Sequence, residues 1–531
     1  MGKGITSASI GLLLKSSGLK VSMVKCDMYL NIDAGTMNPL EHGEIFVTDD
    51  GTEADQDLGH YERFLDITLS QDSYVTGGQI YQKVLAKERA LEYEGKCVDA
   101  YLYIPEEIIQ RIEQLKGKGE IVLVEFGGTV GEYQNVMFFE AVRRMKIKYK
   151  GNVLLVHVGY LPIPPSIGEM KTKPLQQSVW QLHELGLQPD IIICRSEKPI
   201  DNKRKEKIAF AASLEAKDIF SNPDVPSIYE VPLILEEQKI TKRTLEKLNL
   251  EPKKKDLTSW KKMVEKIRSA KDEVRIAMVG KYYTSGGFSL EDSYISVVEA
   301  IKHAAWKNNV KPRIIWFDSE KLATLNAQKI TEALKGIDGI IVPQGWGSRG
   351  VEGKIKAVQF AREEKIPYLG LCFGMQMAVI EFARNVLGFK GANSTEVNSK
   401  TKYPAIHIMP DQKEYLAKRQ YGGTIRLGAW DCRVLAGTKL AKIYGQPGII
   451  SERHRHRYEF NNQYRKQFEK AGMKISGVSP DGKLVEAIEI PDHPFFIGTQ
   501  FHPEYKSRPL NPHPLFLGFI KAAIEKNDRI D

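Results

Sequence analysis

No two cysteines in this chain are spaced as C-x-x-C, and the five present (Cys26, Cys97, Cys194, Cys372, Cys432) are scattered through 531 residues. Such scatter argues against a zinc knuckle and against a disulfide scaffold, and it fits a reducing, cytoplasmic setting. No apolar run approaches the length of a membrane span. The first apolar stretch is broken by Lys and Ser and carries no cleavage site, unlike an export signal. There is no internal repeat and no low-complexity segment. The basic excess is small, 76 Lys and Arg against 67 Asp and Glu for a net +9, and no nucleic-acid recognition motif accompanies it. Neither nucleic acid nor membrane is therefore the expected partner. A mild cationic surplus suits small polyanions such as nucleotides.

What remains is the balance of a globular enzyme, 42% hydrophobic and 27% charged, in a chain long enough for at least two domains. Apolar positions Ile5, Ala8, Leu12 and Leu13 recur at helical spacing up to Gly18. Then come "LKVSMVK", "EIVLVEFGG", "NVLLVHVG" and "DIIICRS", short aliphatic runs of the kind buried on both faces of a parallel sheet. Residues 239–273 lose that pattern and become heavily charged. A second alternation follows with "VRIAMVGKY", "RIIWFD", "GIIVPQGWG" and "PYLGLCFGMQ". The fold class expected is α/β, with two doubly wound parallel-sheet domains at 1–240 and 274–531 joined by a charged linker at 241–273.

In the second domain, "YLGLCFGMQ" puts Cys372 between Gly370 and Gly374. That is the spacing of a nucleophile elbow, where a sharp strand-to-helix turn exposes the reactive atom and only small neighbours let the backbone pass. A helix N-terminus would also favour the thiolate. A buried structural cysteine is the plainer alternative for Cys372 alone. Downstream, "GTQFHPEY" sets His502 and Glu504 two apart on a strand-like stretch, so both face one side, and the imidazole could act as base while the carboxylate orients it. In "VPQGWGSRG", a Gly-rich turn offers the Gly345 N–H to an oxyanion. G-x-C-x-G together with H-P-E resembles the class I glutamine amidotransferases, whose Cys-His-Glu triad releases ammonia from glutamine. That family usually has Gly-Gly where this chain has Gln344-Gly345.

At the N-terminal end, Gly2, Lys3, Gly4 and Ile5 open the first helix. Backbone N–H groups, the helix dipole and one ammonium would there face phosphates. The segments "KCDMYLNIDAGTMNPLEHGEIFVTDDGTEADQDLGHYERFLD", "VEFGGTVGE", "GEMKTKPLQQS", "QPDIIICRS", "GANSTE", "GGTIRLGA" and "ERHRHRYE" resemble the CTP synthase family, in that family's order and over essentially the whole chain. The resemblance implies amination of UTP to CTP with ATP and glutamine, in a P-loop-like synthase domain followed by a glutaminase domain. It implies ATP contacts from Gly2, Lys3, Gly4, Ile5, Lys25, Asp57, Asp224 and Val225, and Mg²⁺ ligation by Asp57 and Glu125. Glu132, Gln134, Lys171, Thr172, Lys173, Gln176 and Lys207 match residues that hold UTP or CTP. Gly345, Phe373, Gln376, Glu396 and Arg457 match residues around substrate glutamine, and His42 matches one lining an ammonia passage. A homotetramer and activation by GTP are further implications. The alternatives are another ATP-dependent amidoligase carrying a glutaminase domain, or a catalytically impaired paralogue with an assembly role.

Some positions depart from the family pattern. Glu132 and Gln134 replace a usual Asp and Glu in a loop associated with CTP feedback. Leu102-Tyr103 stand where a Pro-His pair is usual. "KYYTSGGFSLEDSYIS" is longer than the usual loop, and Ile295 occupies the place of a Lys linked to GTP activation, so GTP is expected to stimulate weakly. A strand and a Gly/Ser-rich turn usually precede Gly2-Lys3-Gly4. The expectation is therefore a first domain lacking its first strand, from a mis-started or shortened sequence. The M-G-x-x-x-[ST] match to a myristoylation signal is explained by the loop itself.

Overall fold

The computed structural model describes residues 2–281, 284–285, 288–289, 291–409, 412–418 and 421–527. The chain divides into two compact units, Met1–Asp33 with His60–Val264, and Ala34–Gly59 with Glu265–Asp531. Sequence continuity assigns 34–59 to the first domain and 265–273 to a linker; in the structure both belong to the second unit.

In the first unit the aliphatic runs form β1 (Val21–Asp27), β2 (Tyr74–Thr76), β3 (Ile121–Phe126), β4 (Val156–Tyr160), β5 (Ile191–Ser196) and β6 (Ile219–Pro223). They make two three-stranded parallel sheets, ordered β2-β1-β3 and β4-β5-β6. Between them lies a cavity of about 1040 Å³, walled by every residue of β3 and of β4 and floored by Ile10 and Leu14 of the first helix, Lys3–Ser16. A six-residue strand at about 3.3 Å per residue, about 4.8 Å wide in a layer about 10 Å thick, occupies roughly 950 Å³. The cavity thus has about the volume of one such strand, and β3 and β4, each the edge strand of its sheet, line it. Much of the charged region at 241–273 is helical, at Ile240–Lys247 and Thr258–Ser269. Its Trp260 is buried, donates its ring N–H to the Tyr229 carbonyl at 2.9 Å and packs on Phe64. This stretch is anchored by packing rather than being a free tether.

The second unit is built on β7 (Glu273–Gly280), β8 (Lys311–Asp318), β9 (Gly339–Val342), β10 (Tyr368–Leu371), β11 (Arg426–Val434), β12 (Gly448–His456), β13 (Lys474–Val478), β14 (Val485–Glu489) and β15 (Phe496–Thr499). They form one nine-stranded sheet in the order β8-β7-β9-β10-β15-β14-β13-β11-β12. The five strands from β8 to β15 run parallel, and the rest pair antiparallel. The doubly wound expectation thus describes half of this sheet. Alternate residues of the central strands go to opposite layers. Ile340, Val342 and Tyr368 pack with Met375 on one face, while Ile341, Leu369 and Leu371 pack with Phe516 and Ile520 on the other. A hairpin from the N-terminal excursion, Ile45–Val47 with Glu53–Asp55, belongs to this unit. Residues 282–283, 286–287 and 290 of the enlarged loop expected from sequence lie outside the described residues. No helix among the described residues is long and apolar enough to cross a membrane.

Candidate active site

Cys372 follows β10 and opens the helix Phe373–Asn385 at φ 51°, ψ −98°, a strained conformation for a side-chain-bearing residue. The turn is held by its N–H, which donates to the Thr499 carbonyl at 2.7 Å. The flanking glycines are required by space. A Cβ on Gly374 would come within 2.0 Å of the Val342 carbonyl oxygen, and one on Gly370 within 2.8 Å of the Gly374 carbonyl carbon. The nucleophile-elbow reading of G-x-C-x-G is therefore a matter of steric fit, not of composition.

His502 and Glu504 are not on a strand. β15 ends at Thr499, and Pro503 opens a single 3₁₀ turn over Pro503–Lys506 with His502 as its N-cap. Pro503 supplies no N–H to a ladder, which ends the strand there. The turn nonetheless brings the two side chains together, with His502 Nδ1 and Glu504 Oε1 2.7 Å apart and both residues buried. Burial alone would lower the imidazole pKa; the negative charges of Glu504 and Cys372 outweigh it and lift it from 6.5 to about 10. His502 is thereby held as the imidazolium beside the Cys372 sulfur.

Cys372, His502, Gly345 and Phe373 line one narrow cleft with Gln376, Glu396 and Arg457. Gln376 donates to the Tyr458 carbonyl at 3.0 Å, leaving its own carbonyl oxygen buried with no partner among the described residues. Glu396 accepts the Gly347 N–H at 2.6 Å, and burial raises its pKa. Arg457 spends one nitrogen on Thr424 Oγ1 at 3.2 Å and on the Tyr421 carbonyl, while Nη1 is buried and uncommitted. An uncommitted guanidinium nitrogen beside the cleft suits a carboxylate.

Sequence reasoning missed three lysine and arginine residues here. Arg455 lines the cleft and pairs with Glu53 at 2.7 Å, a carboxylate 402 positions earlier. Lys281 and Lys354 sit behind the Gln344–Gly347 loop. In "RHRHRY" the strand alternation of β12 was a usable signal for Arg455; nothing in the sequence pointed to Glu53 as its partner. His42 lies in this unit with Nε2 3.6 Å from Asp55 Oδ2, and Asp57 opens the helix Asp57–Leu65. Ile295 is the first residue of the helix Ile295–Lys307.

The remaining predicted residues belong to the first unit. Gly2 takes φ 78°, and a Cβ there would meet Arg195 Nε at 2.8 Å. Lys3 Nζ donates to the Gly128 carbonyl at 2.7 Å, with Gly4 and Ile5 completing the first turn. Arg195 in turn binds Asp224 at 2.6 Å, next to half-buried Val225. Lys25 and Glu125 form a buried pair at 3.2 Å, and the Tyr61 hydroxyl donates to the other Glu125 oxygen. Glu125 here, like Asp57 of the second unit, is an oxygen donor of the hard type that Mg²⁺ takes. Glu132 accepts the Thr129 N–H at 3.0 Å and the Gln134 amide at 3.2 Å; the Thr129 hydroxyl holds its pKa low. Lys171 pairs with Glu169 at 2.7 Å, and Arg204, which the sequence did not single out, ties the same Glu169 to the helix Asn202–Ala211 that carries exposed Lys207. Thr172 Oγ1 accepts from buried Gln176 at 3.2 Å, and Lys173 lies over the Trp180 ring.

Comparison with known families gives two matches, CTP synthase N-terminus over residues 1–250 and glutamine amidotransferase class-I over residues 289–522. The chain is 51% identical over 527 residues to a CTP synthase of Caldanaerobacter subterraneus subsp. tengcongensis, covering 99% of this chain and 96% of that protein. It is 50% identical over 530 residues to a CTP synthase of Methanococcus maripaludis, covering 99% and 98%. A solved glutaminase domain of Trypanosoma brucei CTPS with bound acivicin is 42% identical, covers 48% of this chain and 94% of its own, and superposes with a TM-score of 0.43.

Proposed function

Since this chain belongs to the CTP synthase family, we infer that it is a glutamine-hydrolysing ligase that aminates UTP to CTP with ATP. A different amidoligase or a non-catalytic paralogue is not favoured. The observation that carries the glutaminase half is the elbow cysteine beside the buried His502–Glu504 pair. In our reading the Cys372 thiolate adds to the side-chain amide carbon of glutamine, and the Gly345 and Phe373 N–H groups receive the oxyanion. His502 gives its proton to the departing ammonia, leaving a thioester. A water, deprotonated by the now neutral His502, then splits the thioester to glutamate and free thiol. Gln376, Glu396 and Arg457 grip the α-amino and α-carboxylate groups.

On the synthase side, ATP phosphorylates O4 of UTP, and ammonia displaces that phosphate at C4 to give CTP, ADP and phosphate. Gly2 to Ile5, Lys25, Asp224 and Val225 are assigned to ATP, and Glu132, Gln134, Lys171, Thr172, Lys173, Gln176 and Lys207 to the pyrimidine nucleotide. Asp57 and Glu125 would hold Mg²⁺, which supplies charge neutralisation for phosphoryl transfer when bound. Lys25 pairs with Glu125 at 3.2 Å. His42 is assigned to the ammonia passage. A homotetramer and a cytoplasmic location are part of the same reading, as is weak stimulation by GTP, because Ile295 supplies no charge.

The test is to incubate the protein with UTP, ATP and Mg²⁺ and with either glutamine or ammonia. CTP should form from both, and Cys372→Ala should lose only the glutamine-dependent reaction. No CTP from ammonia refutes the synthase assignment.

A further inference from the structure

Two lysines are buried behind the cleft and donate to backbone carbonyls. Lys354, on the helix Val351–Glu363, is completely buried and donates to the Pro343 carbonyl at 2.9 Å. Lys281, at the end of β7, is 5% exposed and donates to the carbonyls of Trp346 and Gly347, the latter at 3.2 Å. Three carbonyls of one five-residue turn, 343–347, are thus pinned by two side chains. From the opposite side, Glu396 takes the Gly347 N–H. Of the turn's N–H groups, those of Gln344 and Gly345 donate to no described residue, and Gly345 is the one that lines the cleft beside Cys372 with no side chain of its own.

The same two side chains brace the other side of the cleft. Lys281 Nζ lies 4.7 Å and Lys354 Nζ 5.2 Å from the centroid of the Phe373 ring. Phe373 follows Cys372 directly, and its N–H belongs to the first helical turn, which has no intrahelical acceptor. Gly345 backs directly onto this support. A Cβ there would lie 2.7 Å from Lys281 Cε and 3.5 Å from Lys354 Nζ. Desolvation makes both lysines costly to bury, pushing Lys281 down to about 8 and Lys354 well below its ordinary range. Leucine or methionine would fill the same space without that penalty.

We propose that Lys281 and Lys354 are positioning residues of the glutaminase reaction, which fix the 343–347 turn and the Phe373 ring so that the Gly345 and Phe373 N–H groups converge on the oxyanion. Neither lysine touches glutamine; each acts through the turn it holds. The proposal rests on the glutaminase reading above. Oxyanion donors work only when aimed before the charge forms, and loss of one typically costs about 10²–10³-fold in kcat.

The experiment compares Lys354→Met, Lys281→Met and Lys281→Arg with the unaltered enzyme. It measures kcat and KM for glutamine-dependent CTP formation, the ammonia-dependent rate, the melting temperature, and alkylation of Cys372 by iodoacetamide. Both methionine variants are expected to lose about 10- to 100-fold in glutamine-dependent kcat, with KM for glutamine within about threefold. Ammonia-dependent synthesis and the alkylation rate should stay within about twofold, and Lys281→Arg should recover part of kcat. Unchanged kcat in both methionine variants overturns the proposal. So does a fall in kcat matched by an equal fall in alkylation or ammonia-dependent rate, which marks a merely structural role. If Lys354→Met does not fold, Lys281→Met and Lys281→Arg decide alone. Failure of the unaltered enzyme to use glutamine would instead sink the glutaminase reading itself.

Discussion

Replacing Glu504 by Gln removes the charge that holds His502 protonated while keeping the shape of the turn. From its ordinary 6.5 to about 10, at about 1.4 kcal/mol per pH unit, the imidazolium gains about 5 kcal/mol of stabilisation over the neutral ring. The gain is credible in scale because both partners are buried and 2.7 Å apart. With Gln, burial is opposed by Cys372 alone, and the imidazole pKa should fall from about 10. The ring is then neutral over more of the range around pH 8, and the Cys372 sulfur loses its cationic neighbour there. Glutamine-dependent kcat should fall about 10²–10⁴-fold, with ammonia-dependent synthesis unchanged. There is also a stability signature. A histidine whose folded pKa is raised contributes stability that is complete below about pH 6.5 and disappears as pH rises to about 10. Stability measured by denaturant unfolding at pH 6.5, 8 and 10 should therefore decline less steeply in Glu504→Gln than in the unaltered protein. A glutamine-dependent rate within threefold of normal, together with identical pH–stability curves, refutes the reasoning.

Gly374→Ala places a Cβ 2.0 Å from the Val342 carbonyl oxygen, so the helix must shift; about 2 kcal/mol of destabilisation is expected by thermal melting, with loss of glutamine use. Lys25→Met strips the cation from buried Glu125 and should cost about 3–5 kcal/mol by denaturant unfolding, with both glutamine- and ammonia-dependent synthesis lost. Fusing a six-residue apolar strand and a Gly/Ser turn ahead of Gly2 should fill the cavity between β3 and β4, raise the melting temperature and protect the amides of both strands from hydrogen exchange; unaltered exchange there would show that the cavity does not accept a strand.

Legibility from sequence followed the range of the interactions. Most of the parallel strands were visible because they are continuous aliphatic runs, as in "IIIC" of β5 or "GIIV" of β9. The elbow was visible because its requirement for small neighbours is local, from Gly370 to Gly374. β2 and β6 escaped notice, since strands of three and five residues, one carrying Asn222 and Pro223, lack a pattern to read. The antiparallel half of the second sheet was hidden because β11 and β12 carry Arg, His and Glu at positions the fold buries in pairs, such as Arg426 with Glu486 at 2.8 Å. Buried ion pairs look like surface in a one-dimensional pattern. Lys281 and Lys354 were missed for the same reason, because a lysine is ordinarily taken for a solvated side chain.

The excursion Ala34–Gly59 sets a clock on synthesis. Its Glu53 and Asp49 bind Arg455 and Arg453, which follow 402 and 404 positions later. At about 5–20 residues per second, a ribosome delivers those arginines roughly 20 to 80 s after the carboxylates have emerged. Throughout that interval Ile45, Phe46 and Val47, fully buried in the finished unit, have no core to enter. A nascent chain of this protein therefore carries an uncovered apolar hairpin for as long as those roughly 400 intervening residues take to make. That makes the hairpin a place for a chaperone to act, and the formation of its ion pairs with Arg453 and Arg455 of β12 a late step in folding.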